Sequence, residues 1–248
     1  MRRCARHAPK EPKNAPMRVD SNGFDIVGDL HGAVPQLLEL LNKLGYAADL
    51  TPPQGRKLVF VGDLADRGSD NVGALRLVSA AVRAGHALLV LGNHDERLLR
   101  WLRGETIEIK GGIDRTIAEI EAQKDAASLK AELTRLLEMA PLVLELSGGK
   151  LVVAHAGVEE PILTKGIDEA AAYFILNGDA IGKSPDGKTL RRDWAVNYMG
   201  DAFVAYGHTP QPSVLIRNNT VNVDTGVYRT GVLSALRWPQ MEIISVHG

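Results

Sequence analysis

The sequence predicts an α/β architecture within one domain, on three observations. Short apolar runs of strand length alternate with longer stretches whose apolar residues recur at helical spacing. The first three apolar runs each close on a glycine followed by Asp29, Asp63 or Asn93, and then by a helical stretch. Past residue 22 no linker, repeat or low-complexity tract divides the 248-residue chain.

Taken in order, Phe24–Gly28 reads as a strand and Val34–Leu44 as a helix stopped at Gly45. Leu58–Gly62 is a second strand, followed by a helix over Val72–Ala84 that Gly85 ends. Ala87–Gly92 is a third strand, with Glu96–Leu102 helical after it. Residues 104–140 are charged and helical without a strand, and Ala126–Met139 is their clearest helix, stopped by Pro141. Such an insertion reads either as a cap over a site or as scaffold helices. Leu151–Ala154 and Phe203–Tyr206 are further strands. From Ser213 the chain turns to short strands, Ser213–Ile216, Val221–Asp224, Val232–Leu236 and Met241–Val246, read as an antiparallel meander adding a second sheet.

Composition narrows the function. Hydrophobic residues at 45% and charged residues at 24% are ordinary for a globular protein, and a net charge of −1 points to neither a nucleic-acid nor a membrane partner. Aromatics at 5% are too few for a base-stacking platform, so a long nucleic-acid footprint is not expected. No apolar run approaches the roughly 20 residues of a membrane span. Residues 1–22 carry Arg2, Arg3, Arg6, Lys10, Lys13 and Arg18 among prolines and read as a disordered basic extension before a domain at 23–248. The single cysteine, Cys4, suits a reducing compartment, and the expected location is cytoplasmic. Cys4 lacks the arginine six positions on that a cysteine phosphatase needs, since Lys10 stands there.

Five segments place acidic, amide and imidazole groups just past a strand: Asp29-Leu30-His31, Gly62-Asp63-Leu64-Ala65-Asp66-Arg67-Gly68, Gly92-Asn93-His94-Asp95, His155-Ala156-Gly157 and Gly207-His208. Ligands of open α/β sheets bind at the carboxyl ends of strands. One such aspartate is ordinarily a helix cap. Five strand ends carrying metal-type ligands point instead to a metal centre.

This series of motifs resembles the calcineurin-like metallophosphoesterases of the phosphoprotein-phosphatase type, over about Phe24 to Val246. Within that superfamily the likeness is to the phosphatase domain of bacterial polynucleotide kinase-phosphatase and to bacterial diadenosine tetraphosphatases. Supporting stretches are Leu41–Tyr46, Gly148–Gly157, Arg191 with Trp194, Tyr206–Pro210 and Val223–Gly226. The resemblance implies a sandwich of two mixed β-sheets flanked by helices, with the helical insertion at about 104–140. It implies two divalent metal ions, with Asp29 and His31 on the first, Asp63 bridging, and Asn93, His155 and His208 on the second. Manganese leads, with iron, zinc, cobalt and nickel as alternatives, because hard carboxylates and borderline imidazoles suit these ions better than Ca²⁺. A metal-bridging hydroxide then attacks phosphorus in line. By the same resemblance Arg67 grips phosphoryl oxygens, His94 protonates the leaving group and Asp66 holds its other ring nitrogen. Arg191 is a second phosphate-binding arginine or a solvated basic pair with Arg192. Asp224 is a functional acid or a cap on the turn before Gly226.

The expected activity is that of a serine/threonine-phosphatase-like phosphomonoesterase. The alternative is a nucleotide-directed phosphatase acting on 2′,3′-phosphate or cyclic ends or on diadenosine tetraphosphate, and a non-catalytic metal- or phosphate-binding module stands further off. The expected partner is a phosphorylated small molecule, nucleotide or phosphoprotein. The stretch Gly178–Ser184 has its glycines four apart rather than the five of a phosphate loop, and reads as a surface loop.

Overall fold

The computed structural model describes residues 17–47, 50–187 and 189–248. The first half of the chain forms β1 (Met17–Val19), β2 (Phe24–Val27), α1 (Val34–Leu44), β3 (Lys57–Phe60), α2 (Asn71–Arg83), β4 (Ala87–Leu89) and α3 (Asn93–Leu102). The insertion folds as α4 (Ile113–Glu121) and α5 (Ala126–Met139). Then come β5 (Val143–Leu146), β6 (Leu151–Ala154), α6 (Glu160–Lys165), α7 (Glu169–Asn177), β7 (Asp179–Lys183) and β8 (Thr189–Arg192). The chain closes with β9 (Phe203–Tyr206), β10 (Leu215–Arg217), β11 (Thr220–Asn222), α8 (Val227–Thr230), β12 (Val232–Trp238) and β13 (Glu242–His247).

Two mixed sheets result, as expected. One has the order β1, β5, β6, β9, β11, β10 and the other β13, β12, β2, β3, β4, while β7 and β8 pair apart as a hairpin. Alternation along the strands builds the layers. Phe24, Ile26, Val59 and Val61 of one sheet meet Leu144, Leu146, Leu151, Val153 and Val221 of the other in a single buried cluster between them. The intervening Val27, Leu58 and Phe60 face the helices on the outer side. Helix α1 shows the same logic at helical spacing. Pro35 opens it, Leu37, Leu40, Leu41 and Leu44 are buried along one stripe, and Gly45 ends it at φ 84°. Each such leucine contributes about 2 kcal/mol by leaving water. Asp70 caps α2 by accepting from the Gly73 amide at 2.7 Å.

Three expectations are corrected. Met17–Val19 already pairs in parallel with β5, so the ordered chain begins before residue 23; the rest of the expected basic extension, residues 1–16, lies outside the described residues. The final four strands do not form one meander. β10 and β11 join the six-stranded sheet through a parallel pairing of β11 with β9, whereas β12 and β13 join the other beside β2. Alternation alone does not say which sheet a hairpin extends. Finally, Asp179–Lys183 is a strand rather than a loop, paired antiparallel with β8. Its pattern is mostly exposed, so no apolar periodicity marks it.

The insertion is built into the helical side of the core. Ile113, Ile120, Leu129, Leu133, Leu136 and Leu137 are buried in the same cluster as the leucines of α1 and α2. Scaffold is therefore its main part, while Lys110 and Gly111 ahead of α4 reach the candidate site.

Candidate metal centre

β2, β3 and β4 run parallel, and so do β6, β9 and β11 in the facing sheet. Asp29, His31, Asp63 and Asn93 follow the first three, while His155, His208 and Asp224 follow the others. The turns that carry them are strained. His31, Asp63, Asp66 and His208 all have positive φ, at 44°, 52°, 94° and 70°, each at a cost of order 1 kcal/mol or more. The surroundings over-determine these conformations. The His31 amide donates to the Asp63 carbonyl at 2.9 Å. Asp95 accepts from the amides of Asp63, Leu64 and Gly92 at 2.7, 3.0 and 3.0 Å. Gly92 must be glycine, because a Cβ there would lie 2.4 Å from both the Asp63 amide nitrogen and its Oδ1. Asp95 was quoted in a motif without a role; it fixes the loop that carries Asp63.

The donor set fits divalent cations. His155 Nδ1 donates to the Val61 carbonyl at 2.8 Å, which leaves the Nε2 lone pair facing inward. There Asn93 Oδ1 and His208 Nδ1 each stand 3.1 Å away, and Asp63 Oδ1 3.4 Å. Asn93 Oδ1 and His208 Nδ1 are themselves 2.9 Å apart. A proton on an imidazole or a bound cation can hold such a cluster of nitrogen and oxygen atoms together. His31 Nδ1 likewise donates to the Ala65 carbonyl at 2.7 Å, turning Nε2 toward Asp63 Oδ2 at 3.7 Å. The two oxygens of Asp63 thus face two different sets of imidazoles, the arrangement of a bridging carboxylate. Ligand atoms of Asp63, His155 and His208 lie within 4.8 Å of one another, and so do those of Asp63, His31 and His94. Asp29 falls in neither group. Its carboxylate accepts from the His208 amide at 3.1 and 3.2 Å, at the edge of the same centre.

The buried carboxylates and imidazoles shift one another's protonation strongly. Burial alone would lower the His155 pKa, but Asp63 and Asp29 outweigh it and raise it to about 10. Burial also works against ionised Asp63, yet His155, His94 and His31 together hold its carboxyl well below the usual range. Burial pushes His31 down to about 3, and burial with the neighbouring His155 pushes His208 well down. Burial, with Asp224 next, raises Asp29 well above the carboxylate norm. A cation bound by His155 must displace a proton at neutral pH. Titration calorimetry with Mn²⁺ in two buffers of different ionisation enthalpy is expected to show proton release at pH 7.5. Apparent affinity should climb with pH and the release should fade as pH passes about 10. Identical heats in both buffers would contradict this.

Beside these ligands sits the expected acid. His94 Nδ1 is 2.5 Å from Asp66 Oδ2, and both are buried. Arg67 donates to His31 Nε2 at 3.1 Å and to His94 Nε2 at 2.9 Å, with its guanidinium 4.5 Å from the centroid of Tyr228. A cavity of about 350 Å³ opens here, bounded by Arg67, Arg97, Lys110, Arg191 and Tyr228 over Asp63, Asn93, His94 and His208. Arg191 faces this cavity rather than pairing with Arg192; its Nε donates to the Asn177 carbonyl at 2.7 Å, and Arg192 bonds Asp179 instead. Asp224 has both expected features. Its Oδ1 accepts from the Gly226 amide at 2.8 Å, as a cap would, while Oδ2 is buried with no hydrogen-bond partner among the described residues. Arg97, Lys110 and Tyr228 were not anticipated, because charged or aromatic residues outside a motif look like solvated surface.

Fold and site together define a phosphoesterase, and the comparisons agree: the chain belongs to the calcineurin-like phosphoesterase family, which it matches over residues 24–213. It is a hydrolase of that family, whose chemistry uses divalent metal ions. Among curated proteins it is similar to the bis(5′-nucleosyl)-tetraphosphatase PrpE (asymmetrical) of Anoxybacillus flavithermus, 42% identical across 90% of this chain and 93% of that one. The protein of the same description from Bacillus subtilis is 39% identical over the same shares. Among solved structures, one provisionally assigned as a diadenosine tetraphosphatase superposes with a TM-score of 0.70 at 24% identity, covering 95% of this chain and 98% of that one. A serine/threonine phosphatase from Saccharomyces cerevisiae follows at 0.66 and 17%, covering 94% and 84%; at these identities both show the fold. Among the described residues no helix is long and apolar enough to cross a membrane.

Proposed function

We propose that the protein hydrolyses dinucleoside tetraphosphates asymmetrically, using two divalent cations, manganese first, held by Asp29, His31, Asp63, Asn93, His155 and His208. The observation that carries this reading is the cationic wall of the cavity. Arg97, Arg191 and Lys110, the last paired with Glu108, line the cavity along with Arg67, so it holds more cationic side chains than a single phosphate requires. A phosphomonoester fills only the part nearest the ligands, whereas a chain of phosphates can engage the rest. The activity for which the similar curated proteins are named supports the same substrate class.

Divalent cations bound in this centre would neutralise phosphoryl charge and would make hydroxide available near neutral pH. The chain's own residues do the remainder. Arg67, held over Tyr228, binds the phosphoryl oxygens in a bidentate fork, and Arg191 approaches from the β7–β8 hairpin. Asp66 holds the His94 Nδ1 proton and turns Nε2 to the cavity; once Arg67 leaves Nε2 for the phosphoryl oxygens, that nitrogen is free to carry a proton to the departing oxygen. Asp95 maintains the loop geometry of Asp63.

A second reading, a serine/threonine-type phosphomonoesterase, is favoured by the His94–Asp66 pair. A serine alkoxide must be protonated as it leaves, while a nucleotide phosphate can depart as an anion. One panel separates the readings: diadenosine tetraphosphate, a phosphoserine peptide and 2′,3′-cyclic AMP, each with Mn²⁺. The tetraphosphate should give ATP and AMP, with kcat/KM at least about tenfold above the others. Arg97→Ala and Lys110→Ala should each lower tetraphosphate turnover roughly tenfold, the worth of a charge-assisted hydrogen bond of about 1.5 kcal/mol, and should affect p-nitrophenyl phosphate much less. Two ADP as products, or a preference for phosphoserine, would overturn the first reading.

A further inference from the structure

We propose that Thr116, on α4 of the insertion, is a positioning residue for the His94 acid, acting through Asp66. The proposal rests on reading His94 as the proton donor to the leaving group. Thr116 is completely buried, and its Oγ1 donates to Asp66 Oδ1 at 2.8 Å. The other oxygen of that carboxylate, Oδ2, lies 2.5 Å from His94 Nδ1. Three buried side chains from three separate segments thus form one line ending at the cavity.

The chemistry of that line is directional. A threonine within a helix usually spends its hydroxyl on the carbonyl one turn back; here it goes to a carboxylate. With Oδ1 occupied by the hydroxyl, the carboxylate plane is fixed and Oδ2 is left to accept from Nδ1–H. That turns Nε2, which accepts from Arg67 at 2.9 Å, toward the cavity, and makes it the atom that takes up the transferable proton once a phosphoryl group draws the guanidinium away. Without the hydroxyl, Asp66 could turn about its Cβ–Cγ bond and the imidazole would lose its orientation.

The same segment grips Asp66 in two further ways. The Asp66 amide donates to Asn71 Oδ1 at 2.9 Å, and Glu119, one turn beyond Thr116, accepts from the Asn71 amide and side chain at 2.9 and 3.0 Å. Gly112 precedes α4 at φ 96°, and a Cβ there would lie 1.9 Å from the Asp66 carbonyl oxygen. Asp66 itself has φ 94°, a conformation that persists only under such restraint. The insertion therefore reaches the chemistry through Asp66, from behind the acid.

The test compares Thr116→Val, which keeps the shape and removes the donor, with Thr116→Ser, which keeps the donor, and with His94→Ala as the benchmark. All are assayed as Mn²⁺-loaded full-length enzyme on phosphoserine and on p-nitrophenyl phosphate. Thr116→Val should lower kcat on phosphoserine roughly 10–100-fold with little change in KM, in the range of lost outer-sphere partners. Its loss on p-nitrophenyl phosphate should be several-fold smaller, and Thr116→Ser should stay within about threefold of the parent on both. Should the valine variant fail to fold, Thr116→Ala is expected to show the same selectivity. Equal losses on both substrates, or a serine variant as impaired as valine, would reduce Thr116 to packing. If His94→Ala is selective and Thr116→Val is not, the role of Thr116 alone falls. If His94→Ala is not selective either, the acid reading falls and this proposal with it.

Discussion

Asp63→Ala is expected to release the metal ions and to cut kcat/KM on any phosphate substrate by at least about 10³-fold, the scale on which lost transition-state charge stabilisation is felt. The prediction follows from the position of this carboxylate between the imidazoles. Oδ1 lies 3.4 Å from His155 Nε2 and Oδ2 3.7 Å from His31 Nε2. Removing it also leaves the His94 amide without the acceptor that Oδ1 supplies at 2.9 Å, so the acid loop loosens with the metals. The variant should still fold, because Asp95 binds the amides of residues 63 and 64 through backbone that alanine retains. Elemental analysis of the dialysed variant checks this directly: two retained equivalents of metal would show that Asp63 is not the bridge.

His94→Ala should divide substrates by their leaving groups. On phosphoserine, whose alkoxide needs a proton, the loss should reach about 10²–10⁴-fold, the usual worth of general acid catalysis. On p-nitrophenyl phosphate, whose phenolate departs unaided, it should stay under about tenfold. The structure sharpens the expectation. His94 Nε2 also accepts from Arg67 at 2.9 Å, so the variant frees the guanidinium on one side, and KM should change modestly on both substrates. Steady-state kinetics on the pair of substrates reads the split, and a uniform loss in kcat would contradict the acid role.

Much of this was legible in the sequence, for identifiable reasons. The helix over Val34–Leu44 and the strands Leu151–Ala154 and Phe203–Tyr206 have the expected bounds, because apolar period and terminal glycine or loop agree there. The residues of the candidate centre stand out in the sequence because aspartate and histidine just past successive strands have few other uses, and the fold brings them together. What stayed hidden depends on tertiary neighbours. Thr116 lies fifty residues from Asp66 in the chain and looks like any threonine in an amphipathic helix. Lys110 and Arg97 look like solvated charges until the loop before α4 folds over the site. The β7–β8 hairpin has little apolar patterning because it packs mainly at its edge, yet it delivers Arg191 to the cavity. The residues lining the cavity belong to this second group, since only the folded chain brings Arg97, Lys110, Arg191 and Tyr228 around Asp63 and His94.

The central claim, a two-cation centre bridged by Asp63, is tested most directly by anomalous diffraction at the manganese edge from crystals soaked in Mn²⁺. Two peaks roughly 3.5–4 Å apart are expected on either side of the Asp63 carboxylate, one beside His31 and Asp29, the other beside Asn93, His155 and His208. A single peak, or two peaks that leave Asp63 uncoordinated, would contradict it.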